Sequence, residues 1–137
     1  MIQGRITPQN TEFVILCFEG PDQYSMAGGL GVRVANLSTT LAKIGFQTHL
    51  YFIGDPSLES VEYRQNGKLV LHRMCQWISK YHPNGVYQAE EAKLYDYNES
   101  IPRIVRDEVV KPAVAGGKLV VVLAEEWHTT EALCRLS

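Results

Sequence analysis

The sequence has no surplus of either charge: 13 Lys and Arg stand against 15 Asp and Glu, a formal net charge of −2. A dedicated nucleic-acid binder usually carries a basic excess, as does a polybasic membrane-surface protein, so neither class fits. Peripheral membrane contact of another kind stays open. Long apolar runs are also missing; the longest is six residues, far short of a bilayer-spanning helix. The N-terminus lacks the charged-then-apolar layout of a secretory leader, because Arg5 is followed by Gln9, Asn10, Thr11 and Glu12. Cysteine is scarce. Cys17, Cys75 and Cys134 are an odd, widely spaced set that reads as reduced thiols in a cytoplasmic protein. There is no Cys-x-x-Cys pair and no two histidines at ligand spacing, so no metal site is expected. Internal repeats and low-complexity segments are absent.

What remains is the profile of one globular domain. The 137 residues are 45% apolar and 20% charged. A chain of this size can bury roughly 70% of its unfolded surface.

Residues 1–12 are polar and read as a flexible lead. Phe13–Phe18 is a short, continuous apolar run, the pattern of a strand buried on both faces in a parallel sheet. After a turn-rich stretch, Leu30, Val34, Leu37, Leu41 and Ile44 recur at helical spacing, and Gly45 stands where a helix C-terminus needs glycine. Thr48–Ile53 is the next strand, so the first 53 residues hold a β-α-β unit. Asn66-Gly67 then marks a type I′ turn between Ser60–Gln65 and Lys68–Arg73. In that hairpin Val61 and Tyr63, like Leu69 and Leu71, alternate toward one buried face. Gln88–Tyr97 is a further helical stretch. Ser100 is expected to cap a separate helix with Pro102 in its first turn and an apolar stripe of Ile101, Ile104, Val105 and Val109. Pro112 and Gly116-Gly117 stop or kink it, Lys118–Ala124 is a second buried-type strand, and Thr129 or Thr130 starts a short last helix. The expected fold is α/β, a Rossmann-like three-layer domain. Phe13–Phe18, Thr48–Ile53 and Lys118–Ala124 should be parallel neighbours, and the hairpin a separate two-stranded insertion.

Two segments can carry chemistry. The first is Ala27-Gly28-Gly29-Leu30-Gly31, after a buried strand and at the opening of a helix. Unpaired N–H groups and a positive dipole there suit a phosphate or diphosphate; alternatively the glycines serve a tight turn and close helix–sheet packing. The dinucleotide fingerprint fails, since Gly-x-Gly-x-x-Gly from Gly29 meets Val34, which counts against an oxidoreductase. The second is Ala124-Glu125-Glu126-Trp127-His128, at the carboxyl end of a strand, where open α/β sheets place ligands. Its carboxylates, indole and imidazole can hold polyols or stabilise charge; the other reading is a solvated strand end with Trp127 packed. Cys17 reads as a small buried apolar residue, and Tyr81, Tyr87, Tyr95 and Tyr97 as core, rim or an aromatic partner surface.

Glu19, Gly28-Gly29-Leu30-Gly31 and a helix ending Leu41-Ala42-Lys43-Ile44-Gly45-Phe46 ahead of a strand resemble the N-terminal domain of glycogen-synthase-like retaining glycosyltransferases of GT-B fold. The hairpin Asn66–Arg73 is similar to an insertion of such domains, and Ala124–Thr129 to their Ala-His-Asp-Trp-His-Thr segment. Met26 stands where the family has lysine, Glu125 where it has histidine and Glu126 where it has aspartate. The resemblance implies transfer of a sugar from a nucleotide-sugar to a carbohydrate or other hydroxyl acceptor, with retention and without metal or cofactor. It implies a catalytic place for Glu125 and Glu126. It also implies substrate contacts from Glu19, Met26, Gly28, Gly29, Leu30, Trp127 and His128. In the family a C-terminal domain with a Glu-x7-Glu segment holds most of the nucleotide. The expectation is therefore an N-terminal domain, residues 13–137, incomplete at its C-terminus and inactive alone. A missing C-terminal domain or a homodimer would cover its last strand. The alternative is a non-catalytic Rossmann-like module that binds a nucleotide or a partner.

Overall fold

The computed structural model describes residues 4–137. Its sheet is built from β1 (Thr11–Leu16), β2 (Gln47–Ile53), β3 (Val61–Arg64), β4 (Leu69–Met74) and β5 (Leu119–Ala124). The strand order is β3-β4-β2-β1-β5. β4, β2, β1 and β5 are mutually parallel, and only β3 runs antiparallel, against β4. Helices α1 (Gly29–Ile44), α2 (Gln76–Ser79), α3 (Glu90–Val105), α4 (Lys111–Ala115) and α5 (Thr130–Leu136) complete a Rossmann-like α/β domain of three layers.

Strand alternation sorts the core into two halves. Ile15, Cys17, Leu50, Phe52, Leu69 and Leu71 face Val34 and Ala42 of α1. Val14, Leu16, Phe18, Tyr51 and Ile53 face Tyr97, Ile101 and Val105 of α3. Parallel strands covered on both sides must be apolar at every position, which is why Phe13–Phe18 and Thr48–Ile53 read as unbroken runs. Gly45 closes α1 with φ 117°, a left-handed conformation that glycine adopts without steric cost.

Several expectations need correction. The first three residues of the lead lie outside the described residues. The rest of it is not a flexible tail: Thr11 and Glu12 belong to β1, and Asn10 ties the preceding turn through Thr7 N–H at 2.8 Å and the Arg5 carbonyl at 3.0 Å. The hairpin turn is as expected, with Asn66 at φ 56° and Gly67 at φ 84°. It is no separate insertion, however, because β4 pairs with β2 inside the main sheet. Leu69, Val70 and Leu71 are all buried, whereas Val61 and Tyr63 of the edge strand are exposed. Ile44, assigned to the buried stripe, is 60% exposed because it sits at the last turn of α1. Lys118–Ala124 is not fully buried either: β5 is the other sheet edge and is half-exposed along its length.

The helix expected to start at Ser100 begins ten residues earlier, at Glu90. Pro102 sits inside it. A proline removes one N–H from the helix and leaves the carbonyl four residues back unpaired. That carbonyl, on Asn98, accepts from Arg135 of α5 at 2.9 Å. Tertiary structure thus repairs the defect that would otherwise end the helix. The expected stripe holds in part, with Ile101, Val105 and Val109 buried, and a π-turn at Arg106–Val110 carries the backbone into α4, where Pro112 lies in the first turn.

The fold also joins two histidines that sequence spacing kept apart. His49 Nδ1 lies 2.9 Å from His72 Nε2 across β2 and β4, and the His72 ring stacks on Tyr51 with centroids 4.0 Å apart. Burial pushes His49 down to about 4; burial and the neighbouring His49 push His72 down to about 3. Both are neutral in the fold, while the unfolded chain protonates them below 6.5. Their contribution is thus fully present above that pH and is lost as pH falls toward the folded values, by up to about 1.4 kcal/mol per pH unit for each. We expect the urea midpoint to fall steadily between pH 6.5 and 4, and His72→Phe to reduce the slope. A flat profile over that window in the parent chain rules the effect out.

Candidate functional site

Both sequence-flagged segments leave the carboxyl end of the sheet side by side. β1 and β5 are neighbours, and the ladder continues past them: Glu125 N–H donates to the Leu16 carbonyl at 2.8 Å. From β1 the chain crosses to β2 on one side, while β5 lies on the other. This divergence is the topological switch point, the crevice where open α/β sheets bind ligands. A direct contact joins the segments: Arg33 of α1 donates to Glu125 at 3.0 Å.

The helix start is already part-filled by an internal anion. Glu19 Oε1 accepts the N–H groups of Ala27, Gly28 and Gly31 at 3.2, 3.2 and 3.1 Å. Its Oε2 accepts from the Tyr87 hydroxyl at 2.7 Å. Burial opposes the charge on Glu19, but the Tyr87 hydroxyl and the three N–H groups outweigh it and hold the carboxyl below its ordinary value. Gly28 is therefore engaged internally, whereas no internal acceptor meets the N–H of Gly29 or Leu30 among the described residues. The two explanations for the glycines separate by position. A Cβ on Gly31 would lie 2.9 Å from the Gly20 carbonyl oxygen and one on Gly20 2.2 Å from Phe52, so these two serve close packing. A Cβ on Gly28 or Gly29 would meet nothing within 4 Å. Met26 is half-exposed beside them.

The second segment is more tightly held than expected. Glu126 sits at φ 63°, ψ 174°, a region almost confined to glycine that costs of order 1–3 kcal/mol. Its carboxylate bonds the backbone N–H of His128 at 3.2 Å and also the imidazole Nδ1, while Glu90 of α3 bonds Nε2. Glu126 Oε1 is buried without a partner. The His128 ring is buried against Phe18, centroids 4.3 Å apart, and carries Trp127 at 3.8 Å on a stacked, largely exposed indole. His128 is thus a structural centre rather than an open pocket wall. Glu125 points toward Arg33, and Trp127 faces solvent.

Residues missed in the sequence complete the picture. Tyr87 touches both segments, bonding Glu19 and lying 5.5 Å from the His128 ring; Glu90 and Arg33 clamp the second segment. The four tyrosines form no common surface: Tyr97 is core, Tyr87 half-buried, and Tyr81 and Tyr95 exposed. Burial pushes the Cys17 thiol up to about 12, in keeping with an unreactive core residue. Beneath the first segment, Arg73 forms a buried two-pronged pair with Asp22 at 2.8 and 3.0 Å, and Asp22 also accepts the Asp55 N–H, pinning the loop to β4. Among the described residues no three His, Cys, Asp or Glu side chains gather to hold a metal ion, and no helix is long and apolar enough to cross a membrane.

Compared with known proteins, the chain matches no family model, no curated protein and no solved structure.

Two sets of variants test this geometry by chemical denaturation. Gly20→Ala should cost roughly 1–3 kcal/mol through the clash with Phe52, and Gly28→Ala less than about 1 kcal/mol. Equal losses would refute the separation. Glu19→Gln should cost about 1–2 kcal/mol, because an amide oxygen caps a helix start less strongly than a carboxylate and a donor now faces Tyr87. An unchanged midpoint would mean that the Glu19 contacts contribute nothing.

Proposed function

We propose that this chain is the acceptor-side, N-terminal domain of a retaining glycosyltransferase that uses a nucleotide-sugar. A C-terminal donor-binding domain would be its partner. The observation that carries the reading is the meeting of the glycine segment and the Glu125–His128 segment at one switch point, joined by Arg33 and Glu125. In this reading the donor diphosphate takes the N–H groups of Gly29 and Leu30, with open space where a Cβ on Gly29 would lie. Gly28 contributes through Glu19 rather than directly. Glu125, paired with Arg33, and Glu126, held on His128, are the carboxylates nearest the crevice in this reading, and the strained backbone of Glu126 supports a functional demand there. Trp127 offers its exposed indole face to the acceptor, and His128 orients Glu126. The nucleotide-sugar is a substrate, so no cofactor is required.

Partial occupation of the helix start by Glu19 favours a second reading, a non-catalytic binding module. Amide spectra of the labelled chain, titrated with uridine- and adenosine-diphosphate sugars, test the proposal. Gly29 and Leu30 should shift. Transfer by the chain alone should stay at background, because joint positioning of donor and acceptor can supply ~7–11 kcal/mol and needs both domains. No shift with any nucleotide-sugar overturns the donor site, and robust turnover by this chain alone overturns the division of labour. Transfer restored by adding a donor-binding domain excludes the second reading.

A further inference from the structure

Both nitrogens of the His128 ring are met by carboxylates. Glu126 contacts Nδ1, and Glu90 of α3 contacts Nε2. His128 is only 4% exposed, and Phe18 and Trp127 stack on its ring. The nearby polar groups are spent elsewhere: Tyr87 gives its hydroxyl to Glu19, and Glu125 is paired with Arg33. Among the described residues, no other donor or acceptor reaches the ring nitrogens.

Counting protons defines the state of this cluster. A neutral imidazole has one N–H and one lone pair, and an ionised carboxylate only accepts. A neutral ring between two carboxylates would therefore set one lone pair against another inside the fold. Both contacts become hydrogen bonds only when the cluster holds a second proton. Imidazole is a stronger base than carboxylate, so the ring takes it. A buried imidazolium with a carboxylate at each end follows, and the two carboxylates offset the cost of desolvating its charge.

The three groups differ in access to water. The Glu90 side chain is 40% exposed, that of Glu126 19% and that of His128 5%. Glu126 follows β5 at the switch-point crevice, held in its strained conformation. Its Oε1 is buried and has no hydrogen-bond partner. A carboxylate oxygen left without a donor has room for one more proton or hydroxyl. Glu90, at the opposite nitrogen of the ring, opens to solvent.

We propose that Glu126, His128 and Glu90 form a proton relay between the crevice and solvent. Glu126 is the acid–base group, and His128 and Glu90 are positioning residues that act through it. A hydroxyl bound at the crevice gives its proton to Glu126, and the electron pair of the broken O–H bond stays on the hydroxyl oxygen. His128 passes its Nε2 proton to Glu90, and Glu90 releases it to water. One proton enters and one leaves, so the cluster again holds two. The relay serves any hydroxyl substrate and does not rest on the transferase reading.

The test is long-range proton–nitrogen correlation at the His128 ring, in the labelled full chain near neutral pH. Both ring nitrogens should carry protons; one bare nitrogen overturns the proposal. Glu90→Gln keeps an acceptor for Nε2 but can neither balance the charge nor carry a proton. This variant should lose one ring proton at the same pH, with amide shifts away from the cluster unchanged. Retention of both ring protons overturns the proposal. Exchange of the ring proton with water, read by saturation transfer, should slow by about tenfold or more in Glu90→Gln. Unchanged or faster exchange overturns the relay. Where that variant fails to fold, the spectrum of the parent chain and Glu126→Gln, which removes the charge at Nδ1, decide. Nucleotide-sugar binding is read at the amides of Gly29 and Leu30, so failure here and failure there are told apart.

Discussion

The Glu19 carboxylate is the point through which the functional end of the domain is organised. It caps α1, holds the loop of Ala27 and Gly28 against the strand that precedes it, and receives the hydroxyl of Tyr87 from a segment 68 residues away. Tyr87 then reaches the His128 ring, which rests on Phe18, so four chain segments share one cluster. The electrostatics are self-consistent: a negative charge at a helix N-terminus is stabilising, and burial that would neutralise it is overcome by four donors. The same arrangement limits ligands. An incoming phosphate shares the helix start with a fixed negative charge and is left with the N–H groups of Gly29 and Leu30.

Strain and openness fall on the same side of the sheet. Glu126 holds a backbone conformation that a side chain resists, and the cage of His128, Glu90 and Phe18 is what over-determines it. Glu126 leaves directly from β5, the sheet edge, whose Leu-Val-Val-Val-Leu-Ala sequence carries no charge or proline to discourage pairing. The opposite edge, β3, is protected by Glu62 and Arg64, which pair at 2.6 Å. Among the described residues the asymmetry puts the switch-point crevice next to the less protected of the two sheet edges. That placement suits a site completed by a second body, as the glycosyltransferase reading requires.

The parallel core was legible because burial on both faces writes an uninterrupted apolar run, as in Phe13–Phe18. The helix after Gly29 was legible because its packed face repeats at 3.6 residues. The same rule also explains a miss. Leu69-Val70-Leu71 carries the both-faces signal, but the Asn66-Gly67 turn specifies only the local pairing of β3 with β4 and says nothing of the pairing of β4 with β2. Pro102 differs from its local signal for another reason. Its helix-breaking cost is local, whereas the Arg135 bond that offsets it comes from α5, and no window around Pro102 contains that residue.

Part of the site was legible and part was not, and the boundary is the reach of local pattern. Glycines at a helix start and acidic residues at a strand end are read from neighbours in sequence. The bonds of Glu19 to Tyr87, Arg33 to Glu125 and Glu90 to His128 are not, since each joins residues that only the packed fold brings together. Lys93 lies between these cases. Within Glu90-Glu91-Ala92-Lys93 it reads as one more solvated helix charge. Yet stepping back by four from Val105 gives Ile101, Tyr97 and then Lys93, all on the buried stripe of α3. A lysine on an apolar stripe conflicts with the pattern around it, and such conflicts concentrate where a fold accepts a local cost for a specific purpose. Here the cost is a desolvated ammonium, and what it secures is the joining of two loops that would otherwise be free to move apart, through the Tyr24 hydroxyl and the Gly85 and Val86 carbonyls.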